Sequence, residues 1–339
     1  MYRRKLDPTD NIVSFFAFVS FFPQLVAGPI ERATNLLPQF EVQRNFNLDE
    51  AKLGLRQILW GLSKKIIIAD SSAVFVNEIF NNAENHNSSA LLIGAILFAF
   101  QIYGDFSGYS DIAIGTARLF GFSLMKNFAY PYFSRDIAEF WRRWHISLST
   151  WFRDYLYIPL GGSKVGLIKK IRNILIIFIV SGFWHGANWT FIFWGFLNAL
   201  YFIPLAISEK NRTNLGIIGG NHLIPKLTDL LKMLSTFSLT TIAWIFFRAD
   251  SIKEAFAYIQ GIVHRSIFDL PSISDLNGAI KVLVWILIFT GLEWIYKTKD
   301  FPLEQMNIPK FFRWTLYFVL ILLIISYSGQ PQEFIYFQF

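Results

Sequence analysis

The chain has 339 residues, of which 53% are hydrophobic, 18% aromatic and only 16% charged. A soluble domain usually carries about 25% charged residues, so this composition excludes an ordinary soluble domain and indicates a polytopic, multi-pass membrane protein. The net charge of +7 fits basic loops facing anionic membrane lipids, and no basic tail or nucleic-acid motif supports nucleic-acid binding. Cysteine is absent, which excludes disulfides, Cys-ligated metals and a cysteine nucleophile.

The N-terminal part of the chain predicts two helices of different character. Residues 11–30 carry no charge and are long enough to cross a bilayer, although Pro23 should kink or end the helix. Residues 51–70 are mixed in polarity. Lys64 and Lys65 near their end predict an interfacial or tilted helix that stops on a basic side of the membrane.

The middle of the chain contains a second apolar span and an amphipathic segment. Residues 89–104 predict a spanning helix, with a further short span running to Leu119. Residues 135–158 space their aromatic side chains at helical intervals with charged residues between them, which predicts a helix lying in the interface or re-entering the protein. Basic residues dominate residues 126–172, so the positive-inside rule puts the start of this region on the cytoplasmic side.

The C-terminal half predicts a series of hydrophobic helices. Residues 173–184 and 187–208 form two of them, separated at His185 and Gly186, and a break at membrane depth requires surrounding protein or water. Three more predicted spans follow, at residues 233–247, 278–296 and 314–328. The pattern predicts an all-α polytopic membrane protein with about eight membrane helices, forming a single membrane-embedded domain over residues 1–339.

His185 is the most informative residue of these apolar segments. Ionisable side chains are costly inside a bilayer, so each one is a functional hypothesis. An apolar environment favours the neutral imidazole, which can serve as a general base at neutral pH. The adjacent Gly182 and Gly186 are predicted to leave room for a substrate chain. The structural alternative is a histidine hydrogen-bonded within a helix bundle.

His145 lies in a segment rich in tryptophan and arginine. The alternative to a catalytic role is that His145 is a structural histidine at the membrane interface, beside the neighbouring arginines. Arg142, Arg143 and Arg153 fit either lipid-headgroup anchors or ligands of a phosphate-rich donor. Asp154 is expected to pair with one of these arginines. No H-x-x-x-H spacing or carboxylate cluster predicts a metal site.

Several long motifs resemble those of the membrane-bound O-acyltransferase family, and most closely its bacterial branch of alginate and related polysaccharide O-acetyltransferases. These motifs occur in order along nearly the whole chain: FFPQLVAGPIERA (21–33), QIYGDFSGYSDIAIGTARLFGF (101–122), FWRRWHISLSTWFRDYLYIPLGG (140–162), SGFWHGANWTFIFWG (181–195) and FIYFQF (334–339).

The resemblance implies a multi-helix membrane fold with a central tunnel and O-acyltransferase activity. The histidine pair of the family maps onto His145 and His185. The family implies no permanently bound cofactor, and acetyl-CoA or an acyl carrier would serve as donor. Because family members carry further membrane helices before the segment that corresponds to residues 2–5, the chain is expected to be truncated at its N-terminus relative to the family.

The resemblance to this branch implies that the reaction takes place in the bacterial inner membrane. Acetyl groups would pass from a cytoplasmic thioester donor towards the extracytoplasmic face. There, partner acetyltransferases would complete their transfer to hydroxyls of an exported polysaccharide such as alginate. A sister branch transfers D-alanine to teichoic acid. The competing hypothesis is a non-catalytic scaffold or transporter component of a polysaccharide-export complex.

The two histidines suggest a division of roles in the chemistry. One imidazole would take the proton from the acceptor hydroxyl, and the other would orient a substrate or stabilise the oxyanion. The resemblance favours His145 as the essential residue, whereas burial favours His185, so the assignment stays open. Arg142, Trp184 and Asn188 are candidates for lining the site and contacting the donor.

Overall fold

A computed structural model describes residues 9–217, 223–329 and 332–335 of the chain. The described residues form helices joined by turns and loops, with no strand among them, which confirms the all-α prediction. The α-helices, in chain order, are α1 (Ile12–Val19), α2 (Ala33–Glu41), α3 (Leu48–Ser63), α4 (Ser71–Asn81), α5 (Ser88–Leu119), α6 (Ile137–Arg143), α7 (Ile146–Phe152), α8 (Leu167–His185), α9 (Trp189–Ile207), α10 (Leu227–Arg248), α11 (Ile252–Ile262), α12 (Leu276–Ile295) and α13 (Lys310–Tyr327).

Five of the described helices are long and apolar enough to cross a membrane: α5, α9, α10, α12 and α13. Among the described helices, this count falls short of the expected number of about eight. The predicted first span, residues 11–30, is wrong because α1 has only eight residues and is followed by a turn that contains Pro23. At the usual helical rise such a helix is only about 12 Å long, too short for a bilayer.

The helix predicted over residues 51–70 does not end at its two lysines. α3 is capped by Asn47, whose side chain accepts the amide hydrogens of Asp49 and Glu50, and it continues through a π-helical turn directly into α4. Lys64 and Lys65 lie inside this continuous helix and are paired with aspartates of α5. The basic pair therefore belongs to the helix bundle and marks no membrane boundary.

α5 is a single helix of 32 residues, where the sequence predicted a span and a second short segment. It packs along α3 through facing glycines. A Cβ at Gly61 would lie 2.6 Å from the carbonyl oxygen of Gly108, and one at Gly108 would lie 2.7 Å from that of Gly61. Only glycine permits this approach, because any side chain at these two positions would collide with the facing backbone.

The amphipathic segment over residues 135–158 is not one helix. α6 and α7 are separate short helices that meet at His145, and a π-helical turn follows α7. The left-handed backbone of His145, with φ 43° and ψ 54°, breaks the helix between them. By contrast, the break predicted after His185 is confirmed, since α8 ends at that residue and α9 begins at Trp189.

Candidate functional site

A cavity of 640 Å³ runs along one face of α8. Its lining positions on that helix recur every three or four residues, as one face of a helix requires: Lys170, Ile174, Ile177, Phe178, Ser181 and His185. At the helical rise of about 1.5 Å per residue, Lys170 and His185 lie about 22 Å apart along the helix. The cavity is therefore elongated, with a basic group near one end and an imidazole near the other.

His145 lines the same cavity from the junction of α6 and α7. Its side chain is almost wholly buried, and the ring of Phe106 packs edge-on against it with the centroids 4.6 Å apart. His145 lies outside the five candidate spans. Burial lowers the pKa of its imidazole well below the ordinary value, and the electrostatic interaction with nearby His185 acts in the same direction. The imidazole is therefore neutral at pH 7.

His185 is the last residue of α8, and its imidazole is surrounded by aromatic rings. The centroids of Trp184, Trp194 and Phe247 lie 5.0, 5.2 and 5.2 Å from that of the imidazole. These rings come from α8, α9 and α10, so three helices fix the position of this residue. Two of them, Trp194 and Phe247, are themselves buried.

The structure brings the two histidines together although they are distant in sequence. The ring of Trp184 lies 6.2 Å from the imidazole of His145 and 5.0 Å from that of His185. The separation of the two imidazoles therefore cannot exceed the sum of these distances. Both residues line one cavity, so a small acyl group or a hydroxyl group in the cavity can approach either ring.

Basic side chains outnumber acidic ones along the cavity. Arg142, Arg153, Lys170 and Arg212 line it, together with the carboxylate of Glu209. Such a surface favours an anionic ligand. Arg142 is held in place, since its guanidinium donates hydrogen bonds to the carbonyl oxygens of Asn211 and Asn214, at 2.8 and 3.0 Å.

The other arginines of this region have structural partners. Arg143 forms an ion pair with the buried Glu139, at 2.9 Å, and donates a hydrogen bond to the carbonyl oxygen of Ala129. Asp154 pairs with Arg153 and Arg32, at 2.8 and 3.2 Å, which confirms its expected pairing. The hydrogen bond from Arg153 is the main reason that the pKa of Asp154 is lowered. Near His145, Arg142 lines the cavity, Arg143 belongs to the scaffold, and Arg153 does both.

Two interpretations of the residues around His185 need correction. Asn188 caps α9 by accepting the amide hydrogen of Thr190, and it donates to the carbonyl oxygen of Asp250. These bonds hold Asn188 at the turn between α8 and α9, and it is not among the residues that line the cavity. Gly182 and Gly186 leave no room for a substrate chain, because a Cβ at either would collide with Phe191 at the start of α9.

Sequence reasoning missed several residues of the cavity. Lys170 was visible only as one of the basic residues of segment 126–172, although helical periodicity puts it on the same face of α8 as His185. Arg212 and Glu209 come from a polar loop with no recognisable motif, and they reach the cavity only through the tertiary fold. Phe106 contacts His145 from the middle of α5, where its sequence context predicts nothing more than a buried helix.

Comparison with known proteins identifies relatives of the chain. At 37% identity over 316 residues it matches a probable alginate O-acetylase of Pseudomonas aeruginosa, covering 91% of this chain and 58% of that protein. At 40% identity over 255 residues it matches a peptidoglycan O-acetyltransferase of Helicobacter pylori, covering 75% and 47%. At 28% identity over 246 residues it matches a teichoic acid D-alanyltransferase of Bacillus subtilis, covering 68% and 60%.

The chain thus spans between 47% and 60% of the length of these curated relatives. The model of the membrane-bound O-acyltransferase family matches residues 5–211, which is more than half of the chain. This region includes α1 to α9 and both histidines of the cavity. The family expected from the sequence motifs is confirmed, and the chain belongs to the membrane-bound O-acyltransferase family.

Proposed function

We propose that this chain contains the acyl-transfer centre of a membrane O-acyltransferase and that His145 and His185 are its catalytic residues. One observation carries the proposal: two imidazoles from separate segments line one elongated cavity that also has a basic lining. The relatives named as O-acetyltransferases support the reaction class. A scaffold needs no such cavity, which is why we favour the enzymatic function.

In the proposed reaction the hydroxyl oxygen of an acceptor attacks the carbonyl carbon of an acyl thioester. One imidazole takes the hydroxyl proton as the new C–O bond forms. The tetrahedral intermediate then collapses, the C–S bond breaks, and the leaving thiolate receives the proton from the imidazolium. General-base assistance of this kind contributes about 10²–10⁴-fold to the rate. The other imidazole orients a substrate or donates a hydrogen bond to the oxyanion.

The shape of the cavity suggests how the donor binds. Lys170 and Arg212 would bind the anionic part of a donor such as acetyl-CoA or an acyl carrier, and the apolar face of α8 would accommodate its arm. The thioester would then lie near the histidines, about 22 Å along the helix from Lys170. By the positive-inside rule the basic end faces the cytoplasm. We therefore propose a cytoplasmic donor and the bacterial inner membrane as location.

The proposed acceptor is a hydroxyl group of an exported polysaccharide such as alginate, reached through an extracytoplasmic acetyltransferase partner. The names of two relatives, an alginate O-acetylase and a peptidoglycan O-acetyltransferase, support a cell-surface polymer as acceptor. Ionisable residues of the loops after α4 and α10, including Glu84 and Asp250, would face this extracytoplasmic side.

The proposal is tested with His145→Ala and His185→Ala in the full-length membrane protein. Acetyl incorporation into exported polysaccharide is measured after membrane abundance has been matched to the wild type. We expect each variant to lose at least about 100-fold in rate, the lower bound for general-base catalysis. His264→Ala, in an exposed loop, is the matched control and should keep wild-type activity. Wild-type activity in both cavity variants would refute the proposal and favour the scaffold.

A further inference from the structure

The backbone of His145 is in a conformation that residues with a Cβ seldom adopt. Its φ of 43° lies in the left-handed region, and the residue occupies the N-cap position of α7. Such a conformation persists only where the surrounding structure determines it. Some neighbouring group must therefore hold His145 in place.

His145 is also an unusual helix cap. N-cap side chains normally accept hydrogen bonds from the first free amide groups of the helix, which is why serine, threonine, aspartate and asparagine are preferred there. Within the described part of the chain, the imidazole of His145 makes no capping hydrogen bond to α7. The amide groups of Ile146 and Ser147 are bound instead by a residue from another segment.

That residue is Asn127, which lies on the extended segment after α5 and is completely buried. Its backbone carbonyl oxygen accepts the amide hydrogen of Ile146 at 3.0 Å. Its side-chain Oδ1 accepts hydrogen bonds from the amide of Ser147 at 3.2 Å and from the Ser147 hydroxyl at 2.7 Å. One asparagine therefore caps α7 in place of the histidine.

The same asparagine is itself anchored to the core of the bundle. Its Nδ2 donates a hydrogen bond to the hydroxyl of Ser110 on α5, at 3.2 Å, and Ser110 is buried. On the other side of His145, the amide of Ala129 donates to the carbonyl oxygen of Arg143 at 3.0 Å. The segment after α5 thus holds the chain both before and after His145.

We infer that Asn127 is a positioning residue for His145. By capping α7 from another segment, it releases the imidazole from the capping role and keeps it directed into the cavity. This inference deepens the proposed function and rests on it only for the consequence in catalysis. The position of the imidazole can be measured independently of acyl transfer.

The test uses Asn127→Leu, which keeps the backbone carbonyl and similar volume but removes both polar groups of the side chain. Asn173→Leu is the matched control, because Asn173 is equally buried and its Nδ2 donates to the carbonyl oxygen of Leu160 at a distance from His145 in the chain. Full-length protein in membranes is treated with diethyl pyrocarbonate, and modification of each histidine is followed by mass spectrometry.

We expect Asn127→Leu to raise the modification rate of His145 at least about fivefold, with His185 changed much less, and Asn173→Leu to leave His145 as in the wild type. In acyl transfer, Asn127→Leu should lower kcat with little change in the KM of the donor. Asn127→Asp, which keeps the Oδ1 acceptor, should recover part of the loss. An unchanged modification rate at His145 in Asn127→Leu would overturn the inference.

A changed modification rate with wild-type turnover would uphold the positioning role and count against catalysis by His145, so the two proposals fail separately. Ser147→Ala provides a second variant if Asn127→Leu does not accumulate. It removes only the 2.7 Å hydroxyl bond to Asn127. We expect a smaller change in the same direction, and an unchanged modification rate at His145 in Ser147→Ala would again overturn the inference.

Discussion

Two pairs of helices in this protein pack through glycines, yet their surroundings differ. α3 and α5 approach at Gly61 and Gly108, and α8 and α9 approach at Gly182, where a Cβ would lie 2.3 Å from the carbonyl oxygen of Phe191. In the most apolar part of α5, 78% of the residues are buried, whereas in the corresponding part of α9 only 39% are buried. Close backbone packing therefore joins a deeply buried helix in one pair, and in the other a less buried helix to α8, which lines the cavity.

The charged groups of the two regions differ in the same way. Between α3 and α5, Lys64 pairs with Asp111 at 2.6 Å, and the lysine that follows it pairs with Asp105 at 2.9 Å. Along the cavity of α8, basic residues outnumber acidic ones. Paired charges stabilise a fold only when they stay paired, whereas a surplus of one sign is available to a ligand. Paired charges thus belong to the scaffold of this protein, and an excess of basic charge belongs to the cavity.

The largest expected effect comes from breaking the scaffold. Lys64→Met leaves the carboxylate of Asp111 without its buried cation, and loss of one partner of a buried pair costs about 3–5 kcal/mol of unfolding free energy. Lys52→Met is the matched control on the same helix, because the pair of Lys52 with Asp49 is exposed and contributes little. Thermal unfolding of the purified protein measures both. Equal stability of the two variants would contradict a structural role for the buried pair.

A smaller loss of unfolding free energy is expected from a substitution at the contact between Gly108 of α5 and the backbone of α3. Gly108→Ala puts a Cβ against the backbone of α3, so we expect a loss of about 1–3 kcal/mol, as for other overpacked cores. Gly291→Ala, in α12, is the matched control, since a Cβ there meets no atom within 4 Å. Alanine in an open helical position stabilises by up to about 1 kcal/mol. Unfolding curves that move in the same direction for both variants would refute the close approach of α3 and α5.

The smallest expected effect is the change of kcat/KM with pH, which depends on the protonation of His145 in the cavity. Because burial lowers the pKa of His145, its imidazole is already neutral at pH 7 and remains so as the pH falls to 6. An unperturbed imidazole with a pKa of about 6.5 would be about three quarters protonated at pH 6. We therefore expect kcat/KM to change less than about twofold between pH 7.5 and 6.0, measured in membranes. A fourfold decline over this interval would show that His145 titrates normally or that another group controls the rate.

The sequence alone predicted the class of the protein and many of its local features. The scarcity of charge indicated a membrane protein, and apolar periodicity indicated the helices α9, α10, α12 and α13. The break at His185 and Gly186 was visible because these two residues separate two apolar segments. These features depend on residues that are neighbours in sequence, and helical propensity and hydropathy act over that range.

Other elements required the tertiary structure. Hydropathy predicted a span over residues 11–30, but α1 ends at Val19 and is followed by a turn that contains Pro23. In the sequence, Lys64 and Lys65 indicated a membrane boundary. In the structure, both lysines pair with aspartates of α5. Part of the terminal motif, residues 336–339, lies outside the described residues. A single sequence contains no signal for which helix faces will meet.

The sequence by itself determined that this is a helical membrane protein with two histidines in unusual settings. Only the tertiary structure decided that both imidazoles line one cavity and that Asn127 caps the helix beginning at Ile146. The physical reason is the range of the forces involved. Helix formation and membrane partitioning are summed over neighbouring residues, whereas a capping bond or a shared cavity depends on the contacts that bring distant segments together.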